Sequence, residues 1–114
     1  MTEETLQPWP QVDAVAAYLR APLAVFSPDD QALLAAALAA AQSEARVVPD
    51  WRTADLVPAR VSAAVVELAG ENFKLSTRTA SVADLDSASE SFGSIRYRCL
   101  TQMGRFRGGR PVAR

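Results

Sequence analysis

The sequence predicts a mainly α fold: a small helical bundle of three to four helices with a short β-hairpin or strand and an extended basic C-terminal tail. Three observations lead there. Apolar residues recur at helical spacing in three separate stretches. One of those stretches is a long alanine- and leucine-rich run that opens on strong helix-start residues. Near the C-terminus the apolar period changes from helical to two. At 114 residues a single domain spanning 1–114 is expected, since domains commonly run to about 100–150 residues.

Residues 1–10 place Pro8 and Pro10 around Trp9 and read as an extended N-terminal arm. The first helix is predicted from Gln11 to Arg20, with Val12, Val15, Ala16 and Leu19 on one face. Ala21-Pro22 ends it, because a residue before proline is pushed out of the α region. The second helix, to about Arg46, has Ser27 as N-cap, Pro28 at the first position and Asp29 and Asp30 at the positive end of the dipole. Leu34, Leu38 and Ala41 form its main stripe, while Ala35, Ala36, Ala39 and Ala40 leave the rest smooth and uncharged. Two readings stand for that smoothness: burial on every side, against a neighbouring helix or subunit, or alanine used for its helix propensity.

A loop with Pro49, Asp50, Trp51 and Arg52 leads to a third helix from near Pro58 to Phe73, built on Val61, Ala64, Val65 and Leu68. Gly70 weakens its last turn by roughly 1 kcal/mol relative to alanine. Residues 76–91, with five serines in sixteen positions, read as a polar loop holding a short strand around Ser81 to Leu85. Phe92 to Cys99 then alternates, with Ile95, Tyr97 and Cys99 on one face and Ser94, Arg96 and Arg98 on the other, which is a half-buried strand. Leu100 to Phe106 reads as one helical turn, before Gly108, Gly109 and Pro111 in a loose basic tail.

Composition narrows the chemistry. Without a histidine, Ser/His/Asp and Cys/His catalysis and the commonest metal ligand are excluded. A single cysteine, Cys99, excludes an intrachain disulfide and a cysteine zinc site, and its place on the apolar face marks it as a core residue. The acid pairs Asp29/Asp30 and Asp84/Asp86 read as helix-start and loop chemistry, not as catalytic dyads. No apolar run reaches the ~20 residues of a membrane span, and the acidic Met1-Thr2-Glu3-Glu4 is unlike a signal peptide. The expectation is a soluble, intracellular, non-enzymatic protein with no catalytic residue, cofactor or metal.

Charge is the most informative feature. The total is −1, yet residues 1–44 carry six acids and one arginine for a net of −5. Residues 45–90 carry a net of −2, and residues 91–114 carry six arginines and no acid, for +6. Arginines interleaved with aromatics between Arg96 and Arg110 suit phosphate and base contacts or a protein interface; the remaining reading is a solvated tail. A sequence pI near 5.3 favours protein docking over nucleic acid. The acidic N-terminal half offers a complementary surface, so that identical copies can pack head to tail in a ring.

The order of these features has a precedent. A helix closing on Tyr18-Leu19-Arg20 is followed by the Asp-Asp-capped alanine-rich helix from Ser27 to Arg46. A tryptophan loop and a helix opened by Val57-Pro58-Ala59 then precede the strand Ser91-Phe92-Gly93-Ser94-Ile95-Arg96-Tyr97. Over about residues 11 to 100 this order resembles the head-to-tail connector (adaptor) proteins of long-tailed double-stranded DNA bacteriophages, particularly small versions from phages of GC-rich hosts. The preference for arginine, with Lys74 the only lysine, agrees with a GC-rich genome.

The resemblance implies a structural virion protein at the head–tail neck, present in host cytoplasm during assembly. Twelve copies would form a ring joining the portal protein to the stopper or tail-completion protein, around the channel for packaged double-stranded DNA, with no membrane involved. Portal-docking or channel-lining candidates are Phe92, Ile95, Arg96, Tyr97, Arg98, Arg105, Phe106, Arg107 and Arg110, with residues 100–114 as the basic docking segment. Subunit-contact candidates are Leu34, Leu38, Val61, Val65 and Leu68. Family members often end in a longer regular helix, whereas this chain has Gly104, Gly108, Gly109 and Pro111 there. The rival reading is a small nucleic-acid-binding regulatory protein that uses the arginine-rich C-terminus.

Overall fold

Along the chain run β1 (Leu6–Pro8), α1 (Val12–Tyr18), α2 (Pro28–Arg46), β2 (Leu56–Pro58), α3 (Ala59–Thr77) and α4 (Val82–Met103). Short 3-10 turns lie at Leu23–Val25 and Pro49–Trp51. The computed structural model describes residues 5–77 and 82–104, with the backbone alone for 82–89. The fold is mainly α with one small antiparallel sheet, as the sequence predicts.

Three of the described helix ends have a local cause. The Asp30 amide donates to Ser27 Oγ at 3.1 Å, so α2 starts at Pro28 as its residues dictate. α1 closes in a Schellman motif: the Ala21 amide donates to the Ala16 carbonyl and the Arg20 amide to the Ala17 carbonyl. Arg20 therefore holds a φ of 65°, a left-handed conformation that usually falls to glycine. The helix ends about a turn before Ala21-Pro22 for that reason. Beyond α4, Gly104 takes a φ of 98°, where glycine carries no steric penalty.

α3 is the central element, packed against α1, α2 and α4. Its Val61, Ala64, Val65, Leu68 and Phe73 meet Leu34, Ala37, Leu38, Ala41 and Ala45 of α2, Val15 of α1 and Cys99, Leu100 and Met103 of α4 in one core. Gly70 is required by a close approach: a Cβ there would overlap the ring of Tyr18. β1 and β2 pair with Leu6 opposite Pro58 and Pro8 opposite Leu56, which fastens the N-terminal arm to the start of α3. Trp9 follows β1 into the core and donates from Nε1 to the Ala54 carbonyl at 2.8 Å.

Two sequence expectations are overturned. The strand expected at Phe92 to Cys99 belongs to α4, as do residues 82–91 of the loop expected before it; residues 76 and 77 close α3, and 78–81 lie outside the described residues. Tyr97 separates the two periods: alternation puts it beside Ile95 and Cys99, yet it is 60% exposed while Cys99 is buried. Phe92, Ile95, Cys99 and Met103 obey the i, i+3, i+7, i+11 rule of a helix instead. The sheet exists, but between β1 and β2, whose pairing spans some fifty residues of sequence. Of the helical turn expected over Leu100 to Phe106, residues 100–103 close α4; the rest of it beyond Gly104 and the basic tail lie outside the described residues.

The smooth surface of α2 is divided. Leu34, Ala37, Leu38, Ala41 and Ala45 are buried, whereas Ala32, Ala35, Ala36, Ala39 and Ala40 are exposed within the single chain. Burial on every side is not supplied by the described residues.

Candidate interaction surfaces

α4 carries five of the nine residues that sequence reasoning put forward for docking: Phe92, Ile95, Arg96, Tyr97 and Arg98. Phe92 and Ile95 turn inward, half-buried against the core. Arg96 reaches α2, giving Glu44 a bidentate pair at 3.0 Å from Nε and 2.5 Å from Nη2. That hydrogen bonding outweighs partial desolvation and raises the Arg96 pKa above its ordinary value. Arg98 reaches the other way and pairs with Glu67 of α3. Arg96 and Arg98 are 44% and 54% exposed, so each pair adds no more than about 1 kcal/mol. The charge polarity of the chain is thus partly closed within it, where acids of α2 and α3 hold arginines of α4. Tyr97, between those arginines, stays on the outside.

The end of α4 is clamped by side chains that sequence reasoning did not single out. Trp51 Nε1 donates to the Met103 carbonyl at 2.7 Å, and Arg60 Nη1 donates to the Gln102 carbonyl at 2.7 Å. Both satisfy carbonyls that a helix end leaves without partners. Arg60 also lies over the Trp51 ring at 5.7 Å, and Arg46 lies over Trp9 at 4.6 Å, within cation–π range. Arg46 Nη1 donates to the carbonyls of Trp51 and Arg52, which fixes the loop holding Trp51. The predicted docking segment therefore begins in the core, where Leu100 and Met103 are buried. Arg105, Phe106, Arg107 and Arg110 lie outside the described residues.

The five subunit-contact candidates need correction. Leu34, Leu38, Val61, Val65 and Leu68 are all buried in the intrachain core, so none presents a surface to a neighbour. α2 has a different outward stripe, Asp29, Leu33, Ala36, Ala40 and Ser43, every member of it exposed. From Gln31 to Ser43 the helix carries no charged residue. Sequence reasoning found the smoothness but named candidates on the side that faces the core, because apolar leucine outweighs alanine in any periodicity reading.

At the other end of the bundle Tyr18 OH donates to Glu71 Oε2 at 2.6 Å, and Lys74 Nζ pairs with the same oxygen at 2.8 Å. Burial, then the hydrogen bond and charge of Glu71, push the Tyr18 phenol well above its ordinary pKa. Burial pushes the Glu71 carboxyl up, but hydrogen bonds from Lys74 and Tyr18 more than offset it, and its pKa is lowered. The Cys99 thiol is pushed up to about 12, by burial first and then by the charge of Glu67, which keeps it neutral and unreactive. Among the described residues no three acids or thiols gather as a metal site, and no helix is long and apolar enough to cross a membrane. The chain matches no protein-family model, no curated protein and no solved structure among those compared.

Proposed function

We propose that the chain is a structural assembly subunit, one copy of a head-to-tail connector ring at a phage neck between the portal and the stopper or tail-completion protein. The observation that carries the assembly reading is the outward face of α2. A surface helix of a lone protein ordinarily carries a polar outer face; this one presents exposed alanines and Leu33 over an uncharged stretch from Gln31 to Ser43. The portal, the neck position and the enclosed DNA channel come from the resemblance of the sequence alone. The acid-free segment from Arg105 to Arg114, next in sequence to the clamped end of α4, is the part left for an acidic partner surface.

Electron microscopy of the protein with its portal and tail-completion partners tests the reading. A ring between capsid and tail is the expected outcome, and its absence overturns the neck assignment. A chain truncated after Gly104 is expected to fold and to lose attachment, since Leu100 and Met103 remain in the core. Salt-titrated DNA binding distinguishes the rival regulator: sequence preference and a steep salt slope would favour it.

A further inference from the structure

Among the described residues two helices contain a mid-helix glycine, and one of the two shows an internal reason for it. Gly70 of α3 makes room for Tyr18. Gly93 of α4 is exposed, and a Cβ built on it meets nothing within 4 Å. A glycine disfavours a helix interior, so Gly93 costs the fold stability without serving a contact among the described residues. It sits on an outward stripe formed by Glu90, Ser94, Tyr97, Thr101 and Gly104, where Tyr97 is the one large group.

The outward stripe of α2 has the same spacing. Asp29, Leu33, Ala36, Ala40 and Ser43 advance by 4, 3, 4 and 3 residues, and Glu90, Ser94, Tyr97, Thr101 and Gly104 do likewise. At ~1.5 Å per residue each stripe is about 21 Å long. Laid antiparallel, they bring Gly93 and Ser94 to Ala40, where two helices can approach closely. Tyr97 then falls on Ala36 beside the 42%-exposed Leu33, and Asp29 falls at Gly104, where the arginine-rich segment begins. Laid parallel, they would set Asp29 against Glu90. Charge therefore selects the antiparallel arrangement.

We infer that α4 of one copy packs antiparallel on α2 of a second copy, through Gly93, Ser94 and Tyr97 against Ala40, Ala36 and Leu33. The two surfaces differ, so the contact is heterologous, and its repetition builds a closed ring or an open fibre. This deepens the assembly reading and rests on its premise that copies meet.

The test mixes two full-length variants, Ala40→Cys and Ser94→Cys, under mild oxidation; Cys99 is buried and does not compete. The mixed cross-link is expected to exceed that of a Thr53→Cys and Ser94→Cys control by on the order of tenfold, from the raised local concentration. Gly93→Leu raises helix propensity and fills the space at the crossing. It is expected to leave the melting temperature unchanged or higher, and to abolish both the cross-link and any association seen by sedimentation. A mixed cross-link no stronger than the control, an Ala40→Cys product with itself as the dominant species, or full association of Gly93→Leu would each overturn the inference. A portal-bound ring without the mixed cross-link rejects this contact and keeps the neck assignment. The mixed cross-link without portal binding does the reverse.

Discussion

α3 and α4 lie side by side and have similar lengths, but the molecule uses them differently. α3 is enclosed: Val61, Ala64, Val65 and Leu68 face α2 and α4, and even its glycine is filled from outside by the Tyr18 ring. α4 is attached along one side through Phe92, Ile95, Cys99, Leu100 and Met103, with Arg96 and Arg98 tethering its flanks and Trp51 and Arg60 clamping its end. Its other side carries Gly93 and Tyr97 into the open. A helix enclosed by its own chain bears on stability, while one attached along a single side leaves a face for the contact proposed above.

The sharpest way to break this comparison is to hollow each helix in turn. Leu68→Ala empties a position that is 2% exposed at the centre of the core, and is expected to cost about 2–5 kcal/mol in denaturant unfolding. Phe92→Ala removes a half-buried ring from the rim, and is expected to cost well under the ~3–5 kcal/mol of a fully buried phenylalanine. Equal losses at the two positions would show that α4 is enclosed as fully as α3.

The two glycines give the next contrast, now in sign. Gly70→Ala sets a methyl against the Tyr18 ring, so the ring must move and its hydrogen bond to Glu71 is lost. A cost of about 1–3 kcal/mol is expected from that overpacking. Gly93→Ala meets open space and is expected to stabilise the subunit by roughly 0.5–1 kcal/mol. Thermal melts of the two variants check both signs at once.

The same contrast explains what could be read from the sequence. α2 announces itself locally, because Ser27, Pro28, Asp29 and Asp30 cap it and its leucines recur at helical spacing. α3 is legible for the second reason alone. α4 is not, since its serine-rich opening has weak helix propensity and Ile95, Tyr97 and Cys99 satisfy period two as well as part of a helical pattern. What makes it a helix lies far away in sequence: Glu44, Trp51, Arg60 and Glu67 each bond to it from 31 to 52 residues upstream. The candidate surface fared likewise. Arg96, Arg98 and Tyr97 were visible as a basic, aromatic cluster, but which of them is spent inside the chain depends on those distant acids. The β1–β2 pairing has no local signature either, as its strands are three residues each and lie on opposite sides of two helices in the chain.

The smallest effect concerns pH, and it lies where α3 meets Tyr18 at the end of α1. On α3, Glu71 carries a lowered pKa under the hydrogen bonds of Lys74 and Tyr18. A carboxyl whose folded pKa lies below its unfolded value contributes stability that is present above the unfolded value, near 4.5, and lost as pH falls through the folded one. Tyr18 works in the opposite direction: its raised pKa means that its contribution is present below about 10 and fades as pH rises beyond that. Tyr18→Phe removes the hydrogen bond to Glu71 and leaves Lys74 as its partner. Unfolding free energy measured from pH 7 to 3 should then fall less steeply for Tyr18→Phe than for the parent chain, with a difference under about 1 kcal/mol at this partly exposed site. An identical pH profile for the two would mean that Tyr18 is held over Gly70 by packing alone, and that the hydrogen bond to Glu71 is incidental to the end of α3.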